Sequence, residues 1–218
     1  GGLLDRDARA AVLDAERVAA EAARVAAAGV VRDARRRAAP DLAARIESYL
    51  RDLAMPTASI GVSVDGEAGD DVVILLAANS GAALLPLSKV ASGGELARAM
   101  LAVRRVLTAS PPTQVFDEVD AGIGGEVAHA VGASLAELAS HSQVLVVTHL
   151  AQVAAYAHSQ VTVTKHDDGE MTVATATVLG DDERVVELSR MLSGSPESGT
   201  AQDHAVELLA VASASRDA

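Results

Sequence analysis

Apolar residues recur at spacings of three and four through the first part of the chain, at Leu4, Ala8, Ala11, Ala15, Val18, Ala22 and Val25. This spacing places them on one face of a helix, and alanine itself favours helix. The pattern predicts a long helix over residues 3–39, either one arm of a coiled coil or an amphipathic surface helix. Pro40 is expected to break or kink this helix, which resumes over residues 41–53.

The period then changes from helical to strand-like. Ile60, Val62 and Val64 alternate with small or polar residues, which predicts an edge strand. A glycine- and acid-rich turn over residues 65–71 separates it from a more apolar run over residues 72–77. Together the two runs predict a β-hairpin.

Helical and strand patterns alternate in the middle of the chain. Helices are predicted over residues 95–107, 124–139 and 150–157, and short apolar runs at 113–116 and 144–148 predict buried strands. Strands that alternate with helices predict an α/β fold, in which helices flank a mostly parallel sheet.

The last part of the chain predicts a second hairpin and further helix. Residues 161–164 and 172–178 flank Asp167-Asp168-Gly169, which favours a hairpin at the edge of the sheet. Asp181 is expected to cap a helix, and Gly194 is expected to stop it.

Composition narrows the possible functions. The 218 residues include no cysteine, which excludes a thiolate metal site, and no apolar run of membrane-spanning length, so a soluble cytoplasmic protein is expected. Residues 1–52 carry ten arginines and nine acidic residues, whereas the remainder carries eight basic and 21 acidic residues. That acidic remainder is a poor main contact surface for DNA, which requires clustered lysine and arginine.

A Ser-Gly-Gly-Glu turn, residues 92–95, precedes the first central helix. Serine at the cap and glutamate three residues later fit a capping box, which is a purely structural explanation. The two glycines add something that a cap does not require. They allow a phosphate to approach the bare backbone N–H groups at the start of a helix.

Two adjacent acids, Asp117 and Glu118, follow the strand predicted at 113–116. They are compatible with an ordinary acidic sheet rim. Neighbouring residues on a strand point to opposite faces, so one acid can instead hold Mg²⁺ while the other orients an attacking water.

His149 follows the next predicted strand, and a lone histidine there is usually structural. In open parallel sheets, however, ligands sit beyond the carboxyl ends of the strands, where His149 and the two acids would emerge together. A phosphate-binding P-loop needs Gly-x-x-x-x-Gly-Lys-Ser/Thr. The lysines are Lys89 and Lys165, and neither follows a glycine, so the sequence predicts half of a nucleotide site.

Three segments, in this order, resemble motifs of the SMC-like class of ABC-type ATPases. Residues 89–98 resemble its signature motif, residues 114–125 its Walker B motif and D-loop, and residues 143–155 its histidine switch. The Gly-Ile-Gly-Gly run at 122–125 differs from the Ala-Leu-Asp of SMC proteins proper. It resembles the bacterial DNA-repair members of the class.

The resemblance implies that residues 55–218 form the C-terminal lobe of an ATPase head of the P-loop NTPase class. Residues 1–54 would form the returning arm of a coiled coil, from which Pro40 departs. The N-terminal lobe with the Walker A motif is an expected partner, as is a second copy in a homodimer engaged through ATP. The implied cofactors are ATP and Mg²⁺.

The resemblance also implies residue roles. Asp117 would help to hold Mg²⁺, Glu118 would polarise the attacking water, and His149 would contact the γ-phosphate. The residues that would bind ATP held by a second head are Ser92, Gly93, Gly94 and Glu95. Those that would form the D-loop are Gly122, Ile123 and Gly124.

The implied function is ATP hydrolysis in recombinational repair of DNA double-strand breaks, close to the nucleoid, with this chain inactive by itself. The alternatives are a truncated, non-catalytic fragment that only dimerises or acts as a scaffold, and the nucleotide-binding half of another ABC or SMC family, such as a transporter ATPase.

Overall fold

The first element is one helix of 51 residues, α1 (Gly2–Asp52), in a computed structural model that describes residues 2–90, 92–107, 111–167 and 172–216. The predicted break at Pro40 is wrong, because α1 runs through it. Two arginines before the proline fix α1 to the following hairpin: Arg35 Nη1 donates to the Gly69 carbonyl at 2.7 Å, and Arg36 Nε to the Val64 carbonyl at 3.2 Å. These contacts tie α1 to the hairpin just before the position where proline removes one internal hydrogen bond.

The predicted hairpin is confirmed as β1 (Ser59–Asp65) and β2 (Asp71–Ala77), antiparallel from the pair Ser59–Ala77 to the pair Asp65–Asp71. A short strand, β3 (Leu85–Pro86), pairs with the other side of β2, so β1 is an edge strand. A single 3-10 turn (Leu87–Lys89) follows β3. Sequence patterns did not predict β3, because two residues carry no periodicity.

The central region contains α2 (Gly93–Val106), β4 (Thr113–Asp117), α3 (Gly125–Ala139), β5 (Gln143–Val147) and a short α4 (Ala151–Ala154). As predicted, β4 and β5 pair in parallel. The prediction that both strands are buried is wrong for one face. Val115 and Val147 lie on that face and are 66% and 62% exposed, respectively, because the helices cover only the face that carries Phe116.

The second predicted hairpin consists of β6 (Val161–Asp167) and β7 (Thr172–Val178). Within the described residues it forms a sheet of its own instead of extending the β4–β5 pair. Its predicted turn residues Asp168 and Gly169 lie outside the described part of the chain.

Two helices close the described chain, α5 (Asp181–Ser193) and α6 (Gly199–Arg216). The prediction that Asp181 caps α5 is wrong, because Asp181 is the first residue of the helix. Gly180 occupies the cap position, where its N–H donates to Glu183 Oε2 at 2.8 Å. Gly194 stops the helix in a left-handed conformation, as predicted.

The core has two parts. In the main part, Ile46 and Leu50 of the last turns of α1 and Leu53 just after the helix pack on α2, α3 and β4, while α4, α5 and α6 enclose the smaller part. One side chain joins three helices of the main part: Arg105 of α2 stacks on the ring of Tyr49 at 4.2 Å and pairs with Glu137 of α3. The arm and the lobe therefore share a core, and the predicted boundary at residue 54 stays a prediction.

Candidate functional site

The Ser-Gly-Gly-Glu turn caps α2, as predicted. Ser92 is extended and its Oγ accepts from the Glu95 N–H at 3.4 Å. The two glycines that follow lie directly against the loop after β4. A Cβ on Gly93 would be 2.8 Å from Glu118 Oε2, and one on Gly94 would be 2.9 Å from both the Cβ and the carbonyl oxygen of Ala121. Glycine is therefore needed for close packing at Gly94, whereas at Gly93 only the end of the Glu118 side chain would have to move.

The two acids after β4 differ in backbone conformation. Asp117 is the last residue of the strand, on its exposed face, opposite Val147 of β5. Glu118 has left the strand and adopts the left-handed region, with φ of 56°. Its side-chain direction is thus set by this turn instead of by strand alternation. A residue with a Cβ in this region is strained, and such strain is typical of functional sites.

Asp120 is the acid that sequence patterns did not single out. Its side chain is 2% exposed, and its Oδ2 accepts hydrogen bonds from the hydroxyl of Thr148 and from the N–H of His149 at 3.1 Å. Nδ1 of the His149 ring lies 3.2 Å from the same oxygen, which is ion-pair distance. The His149 ring itself is 72% exposed. The loop after β4 and the loop after β5 are therefore joined through one buried carboxylate.

Arg98, another residue that sequence patterns did not single out, joins α2 to the same loop. It is buried, and its Nη1 donates to the Ala121 carbonyl at 2.9 Å. Burial lowers the pKa of Arg98, and the nearby Glu95 carboxylate partly opposes that effect. A position three residues after a capping glutamate gives no sequence signal for this bond.

The predicted D-loop residues follow Ala121 in a compact turn. The N–H of Ala121 donates to the Glu118 carbonyl at 3.0 Å, and that of Ile123 to the Asp120 carbonyl at 3.4 Å. Ile123 packs on the main core, whereas Gly122 and Gly124 face open space. The loop is anchored by one side chain and presents bare backbone beside it.

A groove of about 410 Å³ runs between α2 and β4 and is lined by Gly93, Met100, Arg104 and Asp117, among others. Within the described residues, no group of three histidine or acidic side chains could hold a metal. Asp117 is a single carboxylate on the exposed face of β4, and one or two carboxylates with phosphate and water are the usual ligands of Mg²⁺. A magnesium site at Asp117 stays a prediction.

No family model matches the chain. The DNA repair protein RecN of Streptomyces coelicolor is 46% identical over 222 residues, which cover 93% of this chain and 39% of that protein. RecN of Deinococcus radiodurans is also 46% identical, over 212 residues that cover 94% of this chain and 37% of that protein. The chain belongs to the RecN family. It spans less than two fifths of the length of these curated relatives and corresponds to a C-terminal portion of RecN.

Among solved structures, the Smc head domain with a coiled coil and joint from Pyrococcus yayanosii matches with a TM-score of 0.51 at 23% identity, over 70% of this chain and 29% of that chain. This likeness confirms the fold expected of an RecN portion, an α/β head lobe with a long N-terminal helix. No helix in the described part of the chain is both long and apolar enough to cross a membrane. The roles of individual site residues stay predictions.

Proposed function

We propose that this RecN-family chain is the C-terminal part of an ATPase head that hydrolyses ATP during DNA repair when the rest of the protein is present. The observation that carries the proposal is the meeting of three distant segments at one loop. Residues 118–121 contact the glycines of the α2 cap on one side and His149 on the other. A capped helix, a pair of acids and a histidine are the parts of a phosphoryl-transfer site.

Each segment has a proposed role. Asp117 would help to hold Mg²⁺, which neutralises charge on phosphate oxygens, Glu118 would orient the attacking water, and His149 would contact the γ-phosphate. Residues 92–95 would bind ATP held by a second head, because N–H groups at a helix start favour phosphate. Residues 122–124, with their bare backbone, would lie across the same interface.

The exposed strand face supports a partner lobe. Val115, Leu145 and Val147 form an apolar patch across β4 and β5, and apolar side chains grouped on a sheet face normally lie against another layer. The proposed occupant is the N-terminal, Walker A-containing lobe of the same protein. The curated relatives are long enough to contain such a lobe.

The proposed DNA repair role does not require this acidic lobe to contact DNA broadly. Residues 53–218 carry 21 acidic and eight basic residues, which repel a phosphate backbone. ATP-dependent engagement of two heads would instead control how the complete protein holds DNA.

A reconstitution experiment tests the proposal. The chain is mixed with a separately produced N-terminal RecN lobe that carries the Walker A motif, and ATP hydrolysis is measured. We expect activity in the mixture that disappears with Glu118→Gln and persists with the matched variant Glu197→Gln, an exposed acid between α5 and α6. Formation of an inert complex would contradict hydrolysis and favour the non-catalytic scaffold.

A further inference from the structure

We propose that Asp120 is the positioning residue for His149, and that its buried carboxylate fixes the imidazole orientation and keeps a proton on Nδ1. The importance of this contact for hydrolysis rests on the proposed function. The contact itself is a property of this chain and is testable without nucleotide.

The geometry assigns this role because one oxygen of Asp120 lies close to both the backbone nitrogen and the ring Nδ1 of His149. Oδ2 lies 3.1 Å from the backbone nitrogen of His149 and 3.2 Å from its Nδ1, and it also accepts from the Thr148 hydroxyl. The ring is otherwise 72% exposed, whereas the carboxylate is 2% exposed. An exposed ring has no packing to hold it, so its orientation depends on this contact.

The position of Asp120 is itself fixed by the loop. Its carbonyl accepts from the Ile123 N–H, and the side chain of Ile123 packs on the main core. Thr148 adds a second support, because its Oγ1 also accepts from the Leu150 N–H at 3.1 Å, which ties the start of α4 to the same carboxylate. A buried, anchored acceptor is what a precise orientation of a side chain requires.

The contact proposed between Nδ1 and Asp120 also bears on which ring nitrogen is available. In a neutral imidazole one nitrogen donates and the other accepts, and the partner of one fixes the state of the other. With a proton kept on Nδ1 beside the Asp120 carboxylate, Nε2 is the ring nitrogen left for another partner. A phosphate oxygen accepts hydrogen bonds, so contact through Nε2 requires a second proton there, and the Asp120 carboxylate would balance the resulting positive charge.

The direct test is the tautomer of His149 in the chain itself. Long-range ¹H–¹⁵N spectra of histidine-labelled protein are recorded at about pH 9, where histidine side chains are ordinarily neutral, and the His149 signals are identified by their loss in His149→Gln. We expect Nδ1 to be protonated in the wild type. An Nε2-protonated ring or an even mixture in the wild type would overturn the proposal, whatever the variants do.

Three variants sharpen this test. Asp120→Leu removes both acceptor oxygens with little change in size, and we expect it to lose the Nδ1–H preference. Thr148→Val removes one support of Asp120 but keeps the carboxylate, so the preference should be lost less completely than in Asp120→Leu. The matched control Asp203→Asn, at an exposed position of α6, should also leave it unchanged. An unchanged tautomer in folded Asp120→Leu, which has no acceptor atom, would refute the assignment.

The second readout is turnover by a full-length RecN-family protein that carries this chain as its C-terminal part. We expect Asp120→Asn to lower kcat by about 10- to 100-fold, as loss of an orienting partner of a functional histidine does, with KM nearly unchanged. Combining it with His149→Ala should add little to the loss from His149→Ala alone, because both remove one function. Fully additive losses would show that Asp120 acts elsewhere and would refute the proposal.

The two readouts separate the proposals. A fixed Nδ1–H tautomer together with full turnover in His149→Ala would support the positioning contact and would contradict the catalytic role proposed for His149. A mixed tautomer together with lost turnover in His149→Ala would refute the positioning contact and would support the catalytic role proposed for His149.

Discussion

Alanine substitutions at Gly93 and Gly94 should have opposite consequences, although the two glycines are adjacent in the first turn of α2. A Cβ on Gly94 would meet the carbonyl oxygen and Cβ of Ala121 at 2.9 Å, and these atoms belong to a loop held by Arg98. A Cβ on Gly93 would meet only the end of the Glu118 side chain, at 2.8 Å. A carboxylate can rotate away, whereas a hydrogen-bonded loop has to shift as a unit.

The magnitudes follow from these contacts. Forcing a methyl group into a packed contact typically costs about 1–3 kcal/mol, and weakening the Arg98–Ala121 bond adds to that cost. Replacing glycine by alanine in a helix returns up to about 1 kcal/mol. Gly94→Ala should therefore lose about 1–3 kcal/mol of unfolding free energy, and Gly93→Ala should lie between no change and a gain of about 1 kcal/mol.

Urea unfolding followed by far-UV circular dichroism measures both variants against the wild type. A loss of about 1–3 kcal/mol corresponds to a fall in Tm of about 2–12 °C for a chain of this size. Turnover in the reconstituted ATPase should respond differently from stability. Gly93→Ala displaces the Glu118 carboxylate, so it should lower turnover without loss of stability. Equal stability of the two variants, or a larger loss for Gly93→Ala, would refute the packing described for the α2 cap.

Three further predictions concern other parts of the chain. Arg105→Met removes the stack on Tyr49 and the pairing with α3, so it should cost about 1–3 kcal/mol, whereas Arg9→Met on the exposed arm should cost less than about 0.5 kcal/mol in the same urea titration. Burial raises the pKa of Tyr156. Above about pH 10 the unfolded chain therefore loses a proton that the folded chain retains, so stability falls as pH rises. Tyr156→Phe should flatten this fall in a Tm–pH series, and an identical slope in the variant would contradict the prediction. Val147→Lys should leave the Tm of the chain within about 2 °C but prevent co-purification with the N-terminal lobe, unlike Val211→Lys on α6, and retained binding would show that the patch is not the contact.

Sequence patterns predicted most elements because their periodicities are local. Pro40 shows where that locality fails. The loss of one helical hydrogen bond predicts a break, but Arg35 and Arg36 bind carbonyls of the β1–β2 hairpin some thirty residues away. No window of the sequence around Pro40 contains those acceptors, so tertiary contacts override the local preference.

The strands around the site show the converse limit. The apolar run ending at Asp117 predicts burial on both faces, yet Val115 is mostly exposed, because burial depends on which layers are present and not on the run itself. Asp117, Glu118 and His149 could be placed at one edge because parallel strands end together. Asp120 could not be singled out, since only the folded loop shows that its carboxylate turns inward.

The packing role of Gly132, inside α3, could not be predicted from the sequence either. An isolated glycine in a helix usually lowers stability, and here it makes room for an aromatic ring. A Cβ at this position would lie 2.5 Å from Cδ2 of Tyr156. The chain has three aromatic residues, and the ring of Tyr156 packs where α3 lacks a side chain. The sequence pattern of α3 does not show that a ring from elsewhere in the chain packs there.

The left-handed backbone at Glu118 has a consequence for engineering and for the origin of the site. Glycine would adopt this conformation without steric conflict, whereas any residue with a Cβ gives up about 1 kcal/mol or more. Screening variants of this chain for resistance to heat or protease would therefore tend to replace Glu118 and yield a more stable head that lacks the carboxylate proposed to orient water. Selection for ATP hydrolysis would keep the acid that is proposed to take part in it, whereas selection for stability alone would replace it.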